Sequence, residues 1–266
     1  MSPPLANTVA AVTGASSGIG RATSLELARL GAQLVLIGRD EEQLATCARE
    51  IERSGGSAQW RSCNLSASEE VDELAEWLAA FRPSVDLLVN SAGAFSRAKS
   101  VRWIDQDAWN DVVTLNLTAP FLLTKACLPA MLETGRGTII TISSVAARTP
   151  SALGGVAYGA AKSGVANLMR GVSAELRDQG IRACTIFPGE VDSPMHLHRP
   201  KPPDSEARAT MMQPEDVARV VALVASLPAR TLVEEVVMTP TRRRDVREDM
   251  RIALEEGAPL DDRSTG

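Results

Sequence analysis

Short apolar runs alternate with longer amphipathic stretches along nearly the whole chain. The runs Val9–Thr13, Gln33–Ile37, Ala58–Cys63, Val85–Asn90, Gly137–Ile142, Ile181–Phe187 and Thr231–Met238 read as strands rich in Val, Ile, Leu and Ala. A strand with one wet face alternates apolar with polar residues, so near-continuous runs point to strands buried on both faces. Between them the spacing predicts helices over Ile19–Leu30, Asp40–Ser54, Ser66–Phe81, Asp105–Glu133, Gly155–Gln179 and Pro214–Leu227. Gly31 and Gly55-Gly56 supply stop signals for the first two, and Pro83 follows the third. Seven strands alternating with six helices predict an α/β fold, an open parallel sheet covered on both faces by right-handed crossovers. No repeat or linker divides it, so the chain reads as one domain.

Two segments break this rhythm. Pro194–Met212, with prolines at 194, 200, 202 and 203, reads as a binding loop or lid beyond the sixth strand. From Thr239 onward the tail reads as a solvated, frayed terminus, in which Arg242–Arg244 sit among interspersed acids rather than forming a basic recognition patch.

Composition narrows the partners more than the fold. The 266 residues are 44% hydrophobic and 23% charged, too apolar for a disordered chain. The net charge of −5 argues against nucleic acid or an anionic membrane as the main partner. The longest unbroken apolar run, Val220 to Ala225, is six residues, against about twenty for a membrane span. No secretory signal is readable, since the first basic residue is Arg21 and no long apolar stretch follows it. Cysteines 47, 63, 127 and 184 lie far apart and read as reduced structural thiols of a cytoplasmic protein, with no metal knuckle.

Several constellations carry chemistry. Thr13-Gly14-Ala15-Ser16-Ser17-Gly18-Ile19-Gly20 lies between the first strand and the first helix. A pyrophosphate needs close backbone approach and the positive end of a helix, and glycines at 14, 18 and 20 supply both. Tyr158 and Lys162, four apart on a predicted helix, share one face. An ammonium beside a phenol favours the phenolate and so prepares a tyrosine for acid–base work. Tyr158 is the only tyrosine, and Lys162 is one of four lysines in a chain with 28 basic residues. Ser143-Ser144 ends the fifth strand, where open α/β sheets keep their ligand crevice and where a hydroxyl can donate to a developing oxyanion. Pro120 has no N–H for the Asn116 carbonyl, which leaves either a water site or a simple kink. A Ser–His–Asp hydrolase is disfavoured, because the only histidines are His196 and His198 and no GxSxG elbow exists. Those two read as solvated loop residues, and no metal site is expected.

Taken together, these residues resemble the short-chain dehydrogenase/reductase family, from about Val9 to Met238. The glycine loop looks like that family's TGxxxGxG, Asn90-Ser91-Ala92-Gly93 like its NNAG, and Pro188-Gly189-Glu190-Val191-Asp192-Ser193 like its PGxVxT. The resemblance implies a Rossmann-type sheet of order 3-2-1-4-5-6-7 over residues 8–238, with 1–7 and 239–266 as terminal extensions. It also implies NAD(P)-dependent carbonyl/alcohol chemistry, a homodimer or homotetramer, and a catalytic tetrad of Asn116, Ser144, Tyr158 and Lys162. Three departures stand out: Ser91 for the second Asn, Asn64-Leu65 for Asp-Val near the adenine, and Ser193 for Thr. The last strand lacks the usual glycine-rich ending and looks closer to the hydroxy-acid and serine dehydrogenase branch.

The resulting expectation is an NADP(H)-dependent oxidoreductase acting on a small carbonyl or alcohol. Gly14, Ser16, Ser17, Gly18, Ile19, Gly20, Arg39, Asn64, Leu65, Asn90, Ala92, Gly93, Pro188, Gly189, Val191 and Ser193 would hold the cofactor together with Tyr158 and Lys162. NAD-preferring Rossmann proteins place an acid where this chain has Gly38, and Arg39 follows with a fork suited to a 2′-phosphate. Asp40 reads as a helix N-cap. Tyr158 would be the acid or base, Lys162 would lower its pKa and bond the ribose, Ser144 would polarise the carbonyl, and Asn116 would hold a relay water. Ser96, Val145, Leu153 and Met195 would meet the substrate, from segments that also carry Arg97, Arg148 and Arg199. That mixture permits a hydrophobic ketone or a carboxylate-bearing acid. The rival reading is a dinucleotide sensor or scaffold without turnover.

Overall fold

All five residues of the first strand, β1 (Val9–Thr13), are buried, as their unbroken small and branched side chains require. The computed structural model describes residues 2–258 and builds outward from this strand. After it come α1 (Gly18–Arg29), β2 (Gln33–Gly38), α2 (Glu41–Arg53), β3 (Ser57–Ser62), α3 (Ser68–Ala80) and β4 (Leu87–Asn90). The chain continues through α4 (Gln106–Val113), a π-helical turn at Thr114–Thr118, α5 (Ala119–Glu133), β5 (Gly137–Ile142) and α6 (Val156–Leu176). It ends with β6 (Ile181–Pro188), α7 (Ser205–Ala209), α8 (Pro214–Ser226), β7 (Glu235–Met238) and α9 (Arg247–Glu255).

The seven strands form one parallel sheet in the order β3-β2-β1-β4-β5-β6-β7. Alternation along each strand sends side chains to two cores. Ala10, Val12, Leu34, Leu36, Val89 and Ile140 pack with Leu27 of α1, Leu44 of α2 and Val217 of α8. Val9, Ala11, Val35, Ile37, Leu88 and Ile139 pack with Leu74 of α3, Leu123 of α5 and Met169 of α6. Parallel pairing brings every strand's carboxyl end to one edge, and the order reverses at β1, where a crevice opens between the diverging connections.

Four boundaries differ from the spacing. The predicted helix Asp105–Glu133 is one 28-residue rod broken in register by the π turn, where the Ala119 N–H reaches back to the Thr114 carbonyl. By length and composition this rod would pass for a membrane span, although no unbroken apolar run marks it. Its Ala119, Leu123, Cys127 and Met131 instead fill the core. β7 pairs only over Glu235–Met238, because Thr231–Glu234 precedes the ladder at the sheet edge. The strand β3, at the other edge, is half-buried rather than buried on both faces. The tail does not fray after Thr239: α9 folds back, with Ala253 buried, and Glu256 pairs with Arg97. The expected terminal stretch from Pro259 to Gly266 lies outside the described residues.

One contact fixes α1 against the glycine loop. A Cβ on Gly20 would sit 2.2 Å from the Gly14 carbonyl oxygen, a backbone atom that has nowhere to go. Gly171, exposed on α6, has nothing within 4 Å of the same added atom. Gly20→Ala is therefore expected to destabilise by about 3 kcal/mol or more, whereas Gly171→Ala stabilises by about 0.5–1 kcal/mol through helix propensity. Urea unfolding of the two variants checks this opposition in sign.

Candidate active site

The glycine loop opens a cleft along the carboxyl edge. Gly14 (φ +68°) and Gly18 (φ +50°) occupy the left-handed region that side chains avoid, so the loop turns sharply before α1. Ser17 occupies the N-cap of α1 without a side-chain capping bond. One arm of the cleft, about 530 Å³, is lined by Gly14, Ser16, Ser17, Gly38, Arg39, Asn64, Leu65, Ala92 and Gly93. A Cβ on Gly38 would lie 3.2 Å from Ser16 Oγ, so Ser16 and Gly38 adjoin at the arm's end with the exposed Arg39 beside them. Asp40 accepts from the Gln43 N–H and caps α2. Thr13, whose hydroxyl accepts from the N–H groups of Ser91 (3.0 Å) and Ala92 (3.0 Å), pins the end of β4 to β1. That role was unread in the sequence. Asn90 donates to Thr141 Oγ1 at 3.3 Å, and the buried Ser91 hydroxyl finds no partner.

The other arm, about 850 Å³, brings Ile19, Ser144, Val145, Leu153, Tyr158, Lys162, Pro188, Gly189, Val191, Ser193 and Met195 together. β5 and α6 deliver the polar groups. The Ser143 hydroxyl donates to the Lys162 carbonyl (2.9 Å) and ties strand to helix. Ser144 caps the following 3₁₀ turn, its Oγ accepting from the Ala146 N–H at 3.1 Å. Lys162 Nζ donates to the Ile142 carbonyl (2.8 Å) and stands 5.6 Å from the centre of the Tyr158 ring. Asn116, buried at the π turn, donates from Nδ2 to the carbonyls of Ala94 and Val112, both at 2.8 Å. Its Oδ1 is buried and unpartnered. That oxygen and Lys162 Nζ both come within 3.2 Å of the place a Gly93 Cβ would fill, so Gly93 is the opening between them. The spare acceptor seen at this position is thus the side-chain amide oxygen, where the sequence pointed to the backbone carbonyl.

Burial sets the electrostatics. It pushes the Tyr158 pKa up to about 12, with a Ser144 hydrogen bond and the Arg199 charge opposing it. The Lys162 pKa is pulled down to about 7 by the same desolvation. The expected depression of the phenol by Lys162 is therefore not what sets its pKa; burial does, and it favours the protonated phenol at neutral pH.

Five expectations need correction. Ser96 turns away from the cleft, its hydroxyl donating to the Ala98 carbonyl in its own loop, and its neighbour Phe95 lines the wall instead. Arg97 and Arg148 also point elsewhere, to Glu256 and Glu235, leaving Arg199 as the arginine on this wall. His196 is not solvated: it is 7% exposed, with Nε2 against the Val191 carbonyl. Burial and the nearby Arg199 lower its pKa to about 4, while His198 remains exposed. Arg244 of the tail is partly covered between Glu190 and Asp249, unlike its exposed neighbours Arg242 and Arg243. The arginine contacts join residues far apart in sequence, whose meeting only the folded chain decides. Among the described residues no cluster of His, Cys, Asp and Glu is arranged to hold a metal ion.

Known proteins share this architecture. A metagenomic short-chain oxidoreductase solved with NADP superposes with a TM-score of 0.77 at 36% identity, covering 90% of this chain and 100% of the other. The closed form of a serine dehydrogenase complexed with NADP+ gives a TM-score of 0.79 at 27% identity, covering 90% and 97%. The cis-4-hydroxycyclohexanecarboxylate dehydrogenase of Sinomonas cyclohexanicum is 35% identical over 242 residues, 88% of this chain and 95% of its own. The profile of the short chain dehydrogenase family matches residues 8–203. The chain belongs to the short-chain dehydrogenase family.

Proposed function

We propose that the chain transfers hydride between NADP(H) and the carbonyl or alcohol carbon of a small molecule, with Asn116, Ser144, Tyr158 and Lys162 as its catalytic groups. One observation carries this reading: Ser144, Tyr158 and Lys162 are held in one cleft that continues past the glycine loop. A dinucleotide sensor needs that loop but has no use for a buried phenol and hydroxyl at the far end. Both solved structures compared above contain NADP, and the S. cyclohexanicum relative is by name a dehydrogenase of a hydroxy acid.

The residues fit such a cofactor. The loop from Gly14 to Gly20 and the Asn90–Gly93 strand end would take the pyrophosphate and its sugars, and Pro188–Ser193 the nicotinamide side. NADP(H) supplies and accepts the hydride. The chain moves the proton. In reduction the Tyr158 hydroxyl donates its proton to the carbonyl oxygen while Ser144 Oγ donates a hydrogen bond to the same atom. In oxidation Tyr158 must first be deprotonated, which its raised pKa opposes at neutral pH. Lys162 adds positive charge beside the phenol when protonated, and the unpartnered Asn116 Oδ1 offers that ammonium or a water an acceptor. Self-association as a homodimer or homotetramer belongs to the same reading, supported by Phe121 on α5 and Val156 on α6, both left exposed.

Tyr158→Phe is expected to lower turnover by about 10²–10⁴ in both directions while NADPH affinity stays within a few-fold. Because burial holds the proton on the phenol, wild-type alcohol oxidation is expected to rise as pH increases. Steady-state rates across pH, with NADPH titration by fluorescence, check both parts. A variant that keeps a tenth of its activity overturns the assignment.

Cofactor choice follows from the end of β2. Gly38 leaves room for a 2′-phosphate, Ser16 adjoins it and Arg39 supplies the fork. Charge-assisted bonds contribute about 1.5–3 kcal/mol, so NADPH is expected to exceed NADH by about ten- to a hundredfold in kcat/KM. Gly38→Asp combined with Arg39→Ile reverses the order, Ser16 yielding a few tenths of an ångström to the new side chain. Equal use of both cofactors by the wild type counts against it.

A further inference from the structure

Besides the apolar Phe95, Val145, Leu153 and Met195, the cleft is lined by an arginine that proton transfer does not use. Arg199 follows the 3₁₀ turn Pro194–His198 and its side chain is only 9% exposed. Its Nη1 donates to Glu190 Oε1 at 2.8 Å, but its Nε is buried with no partner. A buried donor of a cation left unmade is costly, and native structures keep one where a ligand completes it.

Glu190 does not cancel this charge. The guanidinium of Arg244 grips the same carboxylate twice, Nε on Oε2 at 2.9 Å and Nη2 on Oε1 at 2.8 Å. Burial alone would raise the Glu190 pKa, yet these bonds and that of Arg199 outweigh it and hold the carboxylate ionised. Arg244 also pairs with Asp249, which Lys201 meets from the solvent side at 3.3 Å. The connected group therefore has three cations, Arg199, Arg244 and Lys201, against two anions, Glu190 and Asp249. One positive charge is in excess; Arg199 and Glu190 are the members that line the cleft, and Glu190 is already engaged by both arginines. Beside the larger effect of burial, the Arg199 charge pulls down on the pKa of the Tyr158 phenol, the His196 ring and Lys99. His196 adds no charge. With Nε2 against a carbonyl, its buried Nδ1 presents a lone pair that takes a hydroxyl donor and not an anion.

We propose that Arg199 anchors a substrate carboxylate through its guanidinium, so that the substrates of this chain are small hydroxy acids and the matching oxo acids. A monoanion matches the single excess charge, while the apolar wall covers a short hydrocarbon body. The proposal rests on the oxidoreductase reading and selects one of the two substrate classes that the sequence leaves open.

The test uses the full chain with NADP(H) and matched pairs: 3-hydroxybutanoate and 4-oxopentanoate, each against its methyl ester. The acid is expected to exceed the ester at least tenfold in kcat/KM. In Arg199→Met the acid's advantage disappears through KM, and in Arg199→Lys, which keeps the charge without the fork, part of it remains. Calorimetry on the NADP+-loaded protein gives a readout independent of turnover: butanoate binds, butanamide binds at least tenfold more weakly, and Arg199→Met no longer distinguishes them. Thermal melts show whether each variant is folded. Should Arg199→Met fail to fold, the acid–ester ratio and the butanoate–butanamide comparison on the wild type decide alone. Turnover or binding indifferent to the carboxylate overturns the proposal and leaves the oxidoreductase reading standing. Selective butanoate binding without turnover of any acid, ester, ketone or aldehyde instead overturns the oxidoreductase reading and keeps the anchor.

Discussion

The centre of the sheet cannot touch water on either face, and the site depends on that constraint. With every residue of β1 buried, each connection must carry a helix across one face or the other before the next strand can pair. Parallel pairing then releases the chain at the same edge each time. The glycine loop, the β4 end, Ser144 and the Pro188–Ser193 segment become neighbours although they span most of the sequence. Strand ends hold them firmly: Thr13 of β1 receives the β4 backbone through its hydroxyl, and Ser143 of β5 secures α6 through the Lys162 carbonyl. The polar groups of the cleft thus inherit their positions from apolar burial some distance away.

The same enclosure governs their chemistry. A phenol and an ammonium taken from water move in opposite directions, Tyr158 toward holding its proton and Lys162 toward losing one. Both shifts disfavour charge in the cleft before a ligand enters. Arg199 is the exception, a guanidinium cation held in place by Glu190. The cleft therefore combines two groups near neutrality with one fixed pair of charges, Arg199 and Glu190.

Most of the architecture was legible because its signals are local. Val, Ile, Leu and Ala in unbroken runs give strands, and Tyr158 and Lys162 meet through helical spacing alone. The strand order, by contrast, came from a family resemblance rather than from periodicity. What was missed depends on contacts between distant residues. The helix α9 is masked by the charges of its sequence, and its anchors at Trp103, Arg97 and Glu190 lie far back in the chain. His196 lies in a proline-rich segment that reads as solvent-exposed until the chain folds over it. Ser96 sits one residue from Phe95, and nothing local tells which of the two side chains faces the cleft. Pro120 marked an irregularity, but the shift to π geometry at Thr114–Thr118 is a property of the packed helix.

The contact between Glu190 and Arg244 spans 54 positions and joins the segment after β6 to residues near the C-terminal end. A ribosome releases the N-terminal part of a chain first, and early elements fold as they emerge. The strands β1 to β6 therefore leave before the residue that clamps Glu190 has been made. A nascent chain can assemble its glycine loop and its β5–α6 junction while the arginine wall still lacks its second grip. The last part of the cleft to be secured is thus the wall that carries Arg199 and Glu190, which waits for a residue made 54 positions later.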